Sequence, residues 1–203
     1  WNSSIKELHK PENIGNYNSN FYQRLAFDEI FSTFLVNSEI RKKIKKIKKK
    51  RKKINFSFQD NLINKLSFSL TDDQIISLKQ INEDLSTSTK MFRLLQGDVG
   101  SGKTIVSLVA CLNVISSKFQ VAFMTPTEIL AKQHYNLAKK IFFKTKVNIG
   151  YLSSKTENKN RKIILNKISS GEIDLLIGTH SIFQKKIVFK KLGYIIIDEQ
   201  HKF

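Results

Sequence analysis

One cysteine, Cys111, is all that the 203 residues contain. A single thiol excludes a disulfide framework and a cysteine-based zinc site. It lies in the apolar stretch Val109-Ala110-Cys111-Leu112, where a small buried side chain is the simplest reading. No apolar run approaches the ~20 residues that a membrane-crossing helix requires, and no secretory pattern opens the chain. A cytoplasmic protein with no membrane partner is the expectation. Acidic residues are also scarce, at 17 against 35 Lys and Arg, for a net charge of +18. That excess is concentrated. Residues 41–53 hold 11 basic side chains and no acidic one, which leaves +7 for the rest of the chain. Such a block attracts nucleic acid, because each cation near a phosphate releases condensed counterions. It is equally what a general bias toward Lys, Asn, Ile and Phe would produce, and both readings stand at this point.

There is no initiator methionine, and the chain stops at Phe203 just beyond an apolar run. A fragment of a longer protein is therefore expected, with room for one ordinary domain and a smaller attachment. A hydrophobic content of 40% suffices for a real core.

What the chain does contain is organised around Gly97-Asp98-Val99-Gly100-Ser101-Gly102-Lys103-Thr104, a full match to the phosphate-binding pattern G-x-x-x-x-G-K-[ST]. Gly97, Gly100 and Gly102 let backbone N–H groups, with that of Ser101, turn inward around a polyphosphate. Lys103 supplies a point charge for the β- and γ-phosphates of ATP. Thr104 offers a hydroxyl to Mg²⁺ at a helix start, whose dipole also favours the anion. The flanks give the required context: Phe92–Gln96 reads as a strand leading in, and Ile105–Ile115 as a helix leading out.

Upstream, residues 1–20 are polar and read as loop. Leu25, Phe27, Ile30, Phe31, Phe34 and Leu35 recur at helical spacing and predict an amphipathic helix whose apolar face packs on something. Ile40, Ile44, Ile47 and Ile54 extend a sparse stripe through the lysine block, predicting a continued helix with a narrow buried seam. Thr71 and Gln74 fit a capping box, with Asp72 and Asp73 in the first turn of a helix that runs to about Leu85.

Downstream, the chain alternates: strand 120–125, helix 128–143, strand 147–152, helix 161–170, strand 173–177 and strand 194–197. Strands of continuous apolarity separated by helices predict an α/β fold with a parallel sheet covered on both faces. Ligands in such sheets bind at the carboxyl ends of the strands. The last strand, Tyr194-Ile195-Ile196-Ile197, delivers Asp198 and Glu199 to that edge, 94 positions after Thr104. Phosphoryl transfer to water needs a carboxylate on Mg²⁺ opposite the phosphate-loop hydroxyl, and a second carboxylate for the attacking water. Asp198 suits the metal and Glu199 the water.

Together, Leu94 to Thr104, Pro126-Thr127-Glu128-Ile129-Leu130-Ala131-Lys132-Gln133-His134, Ile177-Gly178-Thr179-His180 and Asp198-Glu199-Gln200-His201-Lys202-Phe203 closely resemble the RecG family of bacterial ATP-dependent DNA helicases, in superfamily 2. Leu8-His9-Lys10-Pro11 and Arg24 to Glu29 are similar to the segment that joins that family's wedge region to its motor. The resemblance implies a P-loop NTPase of RecA-like fold, truncated after motif II. Residues 1–20 would be the tail of the wedge, 21–60 a basic helical linker, and 61–203 the first part of helicase lobe 1. It implies motif I at 97–104, and motif II at 198–201 with His201 among the catalytic residues. Phe68, Thr71 and Gln74 would form an adenine-reading motif. Thr125, Pro126 and Thr127, with Gly178, Thr179 and His180, would lie along a DNA backbone.

From the residues alone, helix capping at 125–128 and a tight strand exit at Gly178 are the alternatives. ATP, Mg²⁺ and branched DNA are the implied partners, such as a stalled fork or Holliday junction in repair and recombination, acted on by a monomer. Two departures stand out: Lys202 where arginine is usual, and Ser154 where glycine is common. The transcription-repair coupling translocases share the P-loop and Gly-Thr-His but usually read Asp-Glu-Glu-His at motif II, so Gln200 favours the RecG family. A nucleotide-binding module that does not act on DNA is the reading from a different class.

Overall fold

The computed structural model describes residues 2–9, 20–46, 57–184 and 187–200, and they divide into two compact units. In the smaller, α1 (Asn2–His9) packs against the 27-residue α2 (Asn20–Lys46). Helix α1 corrects the expected loop: it tucks Ser4 and part of Ile5 away from solvent, which gives a polar segment enough contact to stay helical. Helix α2 does continue into the lysine block, as far as Lys46, while residues 47–56 lie outside the described residues. Its apolar face is not covered as expected. Phe27, Ile30, Phe31, Phe34, Leu35 and Ile40 are all exposed, because eight-residue α1 cannot cover the length of α2 within this unit. Phe27 and Phe31 stack with centroids 5.6 Å apart, and Arg24 pairs with Asp28 at 3.2 Å.

The larger unit is a parallel α/β layer structure. Its four strands are β1 (Gln120–Met124), β2 (Ile149–Leu152), β3 (Leu175–Gly178) and β4 (Leu192–Ile197), in the order β2-β3-β1-β4. Register places Met124 beside Gly178 on one side and Ile197 on the other, so three strands finish on the same edge. Alternate residues serve opposite faces. Ala122, Met124, Leu152 and Leu176 pack with Ile168 of α7 (Asn158–Ser170), while Phe123 and Tyr151 meet His134 and Tyr135 of α6 (Glu128–Ile141). Both faces are therefore covered at β1 and β3, which are buried at every position, whereas the edge strand β4 leaves Leu192, Ile195 and Ile197 exposed.

Helix α5 (Lys103–Ser116) is apolar nearly all round and lies against β1 and β4. A helix of that kind must be enclosed, and α3 (Ser57–Ile63) with α4 (Asp72–Ser86) complete the enclosure. Asn113 of α5 donates to Gln59 and Asn82 in a buried amide cluster that ties the three helices together. Cys111 is fully buried as expected. Its thiol donates to the Ser107 carbonyl, and desolvation pushes its pKa far up.

Phe92–Gln96 is not a strand. Arg93 there is held by Asp84 at 2.6 Å and Gln80 at 2.9 Å, so side-chain bonds to α4 replace sheet pairing, and Leu94 stays exposed.

At the amino edge of the sheet the buried Gln120 donates to the carbonyls of Ile168 and Ile173 and accepts from the Lys191 N–H. It joins the ends of α7, β3 and β4 through one side chain. Gln120→Leu would orphan the Ile173 carbonyl and the Lys191 N–H, leaving the Ile168 carbonyl only its bond from Gly171 N–H, and urea denaturation should show a loss of about 1–3 kcal/mol or more.

Candidate functional site

The phosphate loop is shaped by two left-handed glycines, Gly100 (φ +83°) and Gly102 (φ +81°), the second of which caps α5. A side chain at Gly102 would be strained by that φ and would also collide with the Gln74 amide. Val99 stands at the exposed tip of the loop. Below it, the Lys103 ammonium donates to the carbonyls of Gly97 and Asp98 at 2.7 and 2.6 Å. In the first turn of α5 the N–H groups of Lys103 and Thr104 precede any intrahelical acceptor, while that of Ile105 bonds the Gly102 carbonyl at 2.9 Å. Thr104, second in the helix, is half-buried at the same end.

Gln74 connects the loop to α4. Its Oε1 accepts from Thr71 N–H at 3.0 Å and its backbone N–H donates to Thr71 Oγ1, so the expected capping box is formed. The same carboxamide donates through Nε2 to the Ser101 carbonyl at 2.9 Å. An amide has two donor hydrogens and two acceptor lone pairs, and one of each remains. The cap and the loop bond together use one acceptor and one donor of the carboxamide. Phe68 is exposed on the same approach to α4.

Asp198 and Glu199 follow β4 at the carboxyl edge. The Asp198 N–H bonds the Met124 carbonyl at 2.9 Å, locking the chain beside β1. The Asp198 carboxyl is held below its usual range, first by a hydrogen bond from His134 against the opposing cost of burial, with the Lys103 charge contributing. Lys103 of motif I is thus near enough to Asp198 of motif II for its charge to favour the ionised carboxylate. Glu199 takes a left-handed backbone (φ +47°), an uncommon conformation for glutamate that concentrates at functional turns. His201 lies outside the described residues.

The neighbouring strand ends build a second surface. Thr125 is buried; its N–H bonds the Gly178 carbonyl, and its hydroxyl donates to the Thr127 carbonyl. Thr127 caps α6 through its hydroxyl, which accepts from Leu130 N–H, and Pro126 lies between them, half-buried. Gly178 allows close strand approach, because a Cβ there would strike the Leu152 carbonyl. Thr179 is buried, while His180 is exposed at the start of a short 3-10 turn, His180–Phe183. Ser154 donates to Glu128 Oε1 at 2.9 Å, and Lys155 Nζ lies 3.1 Å from Glu128 Oε2. The departure at Ser154 therefore latches the loop after β2 to the head of α6.

Sequence reasoning missed the bond between His134 Nε2 and Asp198 Oδ2, 2.7 Å long. Its signal was a polar residue on the buried stripe Ala131, His134, Ala138 of α6.

Residues 71–203 match the family DEAD/DEAH box helicase. The chain belongs to that helicase family. This DEAD/DEAH box chain is 42% identical over 204 residues to the ATP-dependent DNA helicase RecG of Aquifex aeolicus, covering 98% of the chain and 26% of that protein. To RecG of Borreliella burgdorferi it is 39% identical over 200 residues, covering 98% and 29%. A solved structure of RecG bound to a three-way DNA junction superposes with a TM-score of 0.81 at 38% identity, over 98% of this chain and 27% of that one. The UvsW helicase of bacteriophage T4, at 13% identity and a TM-score of 0.52, shares the fold over 74% of this chain and 52% of its own. The chain thus spans between a quarter and three-tenths of the length of these RecG proteins. Among the described residues no helix is long and apolar enough to cross a membrane.

Gln74→Ala removes the reciprocal cap and the bond to the loop together. Chemical denaturation should show a loss of about 0.5–2 kcal/mol. Gly102→Ala should abolish binding of a fluorescent ATP analogue while the circular dichroism spectrum stays unchanged.

Proposed function

We propose that the chain is the front part of the motor of an ATP-driven DNA helicase of RecG type, one that remodels branched DNA in the bacterial cytoplasm. The observation that carries this reading is the similarity to RecG along 98% of the chain, with the phosphate-loop helix α5 packed against β4, the strand that delivers Asp198. Residues 1–20 then form the tail of a wedge domain, 21–60 a basic linker, and 61–203 the first part of lobe 1.

On this reading the loop N–H groups and Lys103 hold the β- and γ-phosphates, and Gln74, with Phe68 and Thr71, holds the adenine. Thr104 and Asp198 are hard oxygen donors of the kind Mg²⁺ takes, and they sit on facing elements, so the residues present fit the ion. Bound there, Mg²⁺ neutralises phosphate charge. Glu199 orients the attacking water and takes its proton. Thr125, Pro126, Thr127, Gly178, Thr179 and His180 form the DNA-side edge: Thr127 and His180 are exposed to a phosphate backbone, while buried Thr125, Gly178 and Thr179 shape the strand ends beneath them.

The test is ATP hydrolysis by the full-length protein with and without a forked or four-way junction. Branched DNA should stimulate turnover strongly. Lys103→Ala and Glu199→Gln should each lower the stimulated rate by about 10²–10⁴-fold. Turnover indifferent to DNA would leave the nucleotide site standing and remove the helicase reading.

A further inference from the structure

Helix α6 reaches both surfaces. Its head, Thr127, lies with Thr125 and Pro126 on the edge assigned to DNA, and seven residues along, two helical turns on, His134 is buried at 8% exposure. The imidazole packs against Phe123 of β1, with ring centroids 5.1 Å apart, and its Nε2 lies 2.7 Å from Asp198 Oδ2. An ionised carboxylate only accepts hydrogen bonds, so Nε2–H is the donor. Asp198 is consequently fixed twice: β1 holds its backbone through the Met124 carbonyl, and α6 holds its side chain. A histidine serving the core alone would be satisfied by any backbone carbonyl. This one is spent on the carboxylate that directly follows β4.

We infer that His134 is a positioning residue: it orients the Asp198 carboxylate for Mg²⁺ and ties that carboxylate to the DNA-facing helix. The inference rests on the nucleotide-site reading above. The imidazole occupies Oδ2, which leaves Oδ1 as the oxygen open to a metal ion. Hydrogen bonds of this outer kind typically alter metal affinity by about 10–100-fold when removed.

The experiment measures equilibrium binding of a fluorescent ATP analogue to the full-length protein, without turnover, in Mg²⁺ and in EDTA. It compares wild type, His134→Ala, His134→Gln and Lys103→Ala, with melting temperatures recorded for each. His134→Ala should weaken binding about 10–100-fold in Mg²⁺ and leave the EDTA affinity unchanged. His134→Gln, which keeps an N–H donor at similar reach, should recover most of the loss. If His134→Ala does not fold, His134→Leu against His134→Gln makes the same comparison. Equal weakening in Mg²⁺ and EDTA, no weakening in Mg²⁺, or no recovery with glutamine would each overturn the inference. In those cases wild type would still bind in a Mg²⁺- and Lys103-dependent way, which separates this failure from failure of the nucleotide site. Wild-type binding indifferent to Lys103 and Mg²⁺ would overturn both.

Discussion

Parallel register is the constraint on which the rest depends. Because Met124 pairs with Gly178 and with Ile197, the residues that follow each strand emerge side by side. Thr125, Thr179 and Asp198 are separated by tens of residues in sequence, yet they share one edge for no reason other than backbone hydrogen bonding. A parallel sheet requires helical crossovers, and those crossovers bury both faces. Burial then leaves the edge as the one place where polar side chains from several strands can gather. The fold and the site are in this sense a single consequence of strand order.

Much of this was legible in the chain. The phosphate loop, the capping box at Thr71 and Gln74, and the acidic pair after Tyr194-Ile195-Ile196-Ile197 are local patterns whose spacing is dictated by chemistry within a few residues. Strand and helix types were readable downstream of Gly97 because periodicity and continuous apolarity report burial directly. The readings failed where a side chain overrides local pattern. Phe92–Gln96 looks like a strand, but Arg93 finds Asp84 and Gln80 on α4 instead. Residues 2–9 look like loop, but a partner helix stabilises them. The apolar face of α2 is real, although among the described residues of its own unit no element is long enough to cover it.

The contacts that were not legible are long-range and polar. Gln74 to Ser101 spans 27 residues and His134 to Asp198 spans 64. No periodicity encodes either one. What the sequence did carry was an oddity, a histidine between two buried alanines of α6, and such misfits in an otherwise regular stripe are the trace that distant bonds leave. Both contacts connect a loop at the candidate site to a helix that starts elsewhere in the same unit. The glycine-rich loop and the acidic pair are thus each braced from outside their own segments.

The buried thiol has a practical consequence. Cys111 is the one cysteine in these residues, and it is enclosed, hydrogen-bonded and held in its protonated form, while the thiolate is the species that alkylating reagents capture. A maleimide dye or spin label offered to the folded chain therefore has no native target here. New cysteines placed on exposed positions, such as Val99 at the loop tip or Phe143 after α6, would label selectively without first removing the natural one. Distance measurements between the loop and the helices that brace it could then be made on an otherwise unaltered sequence.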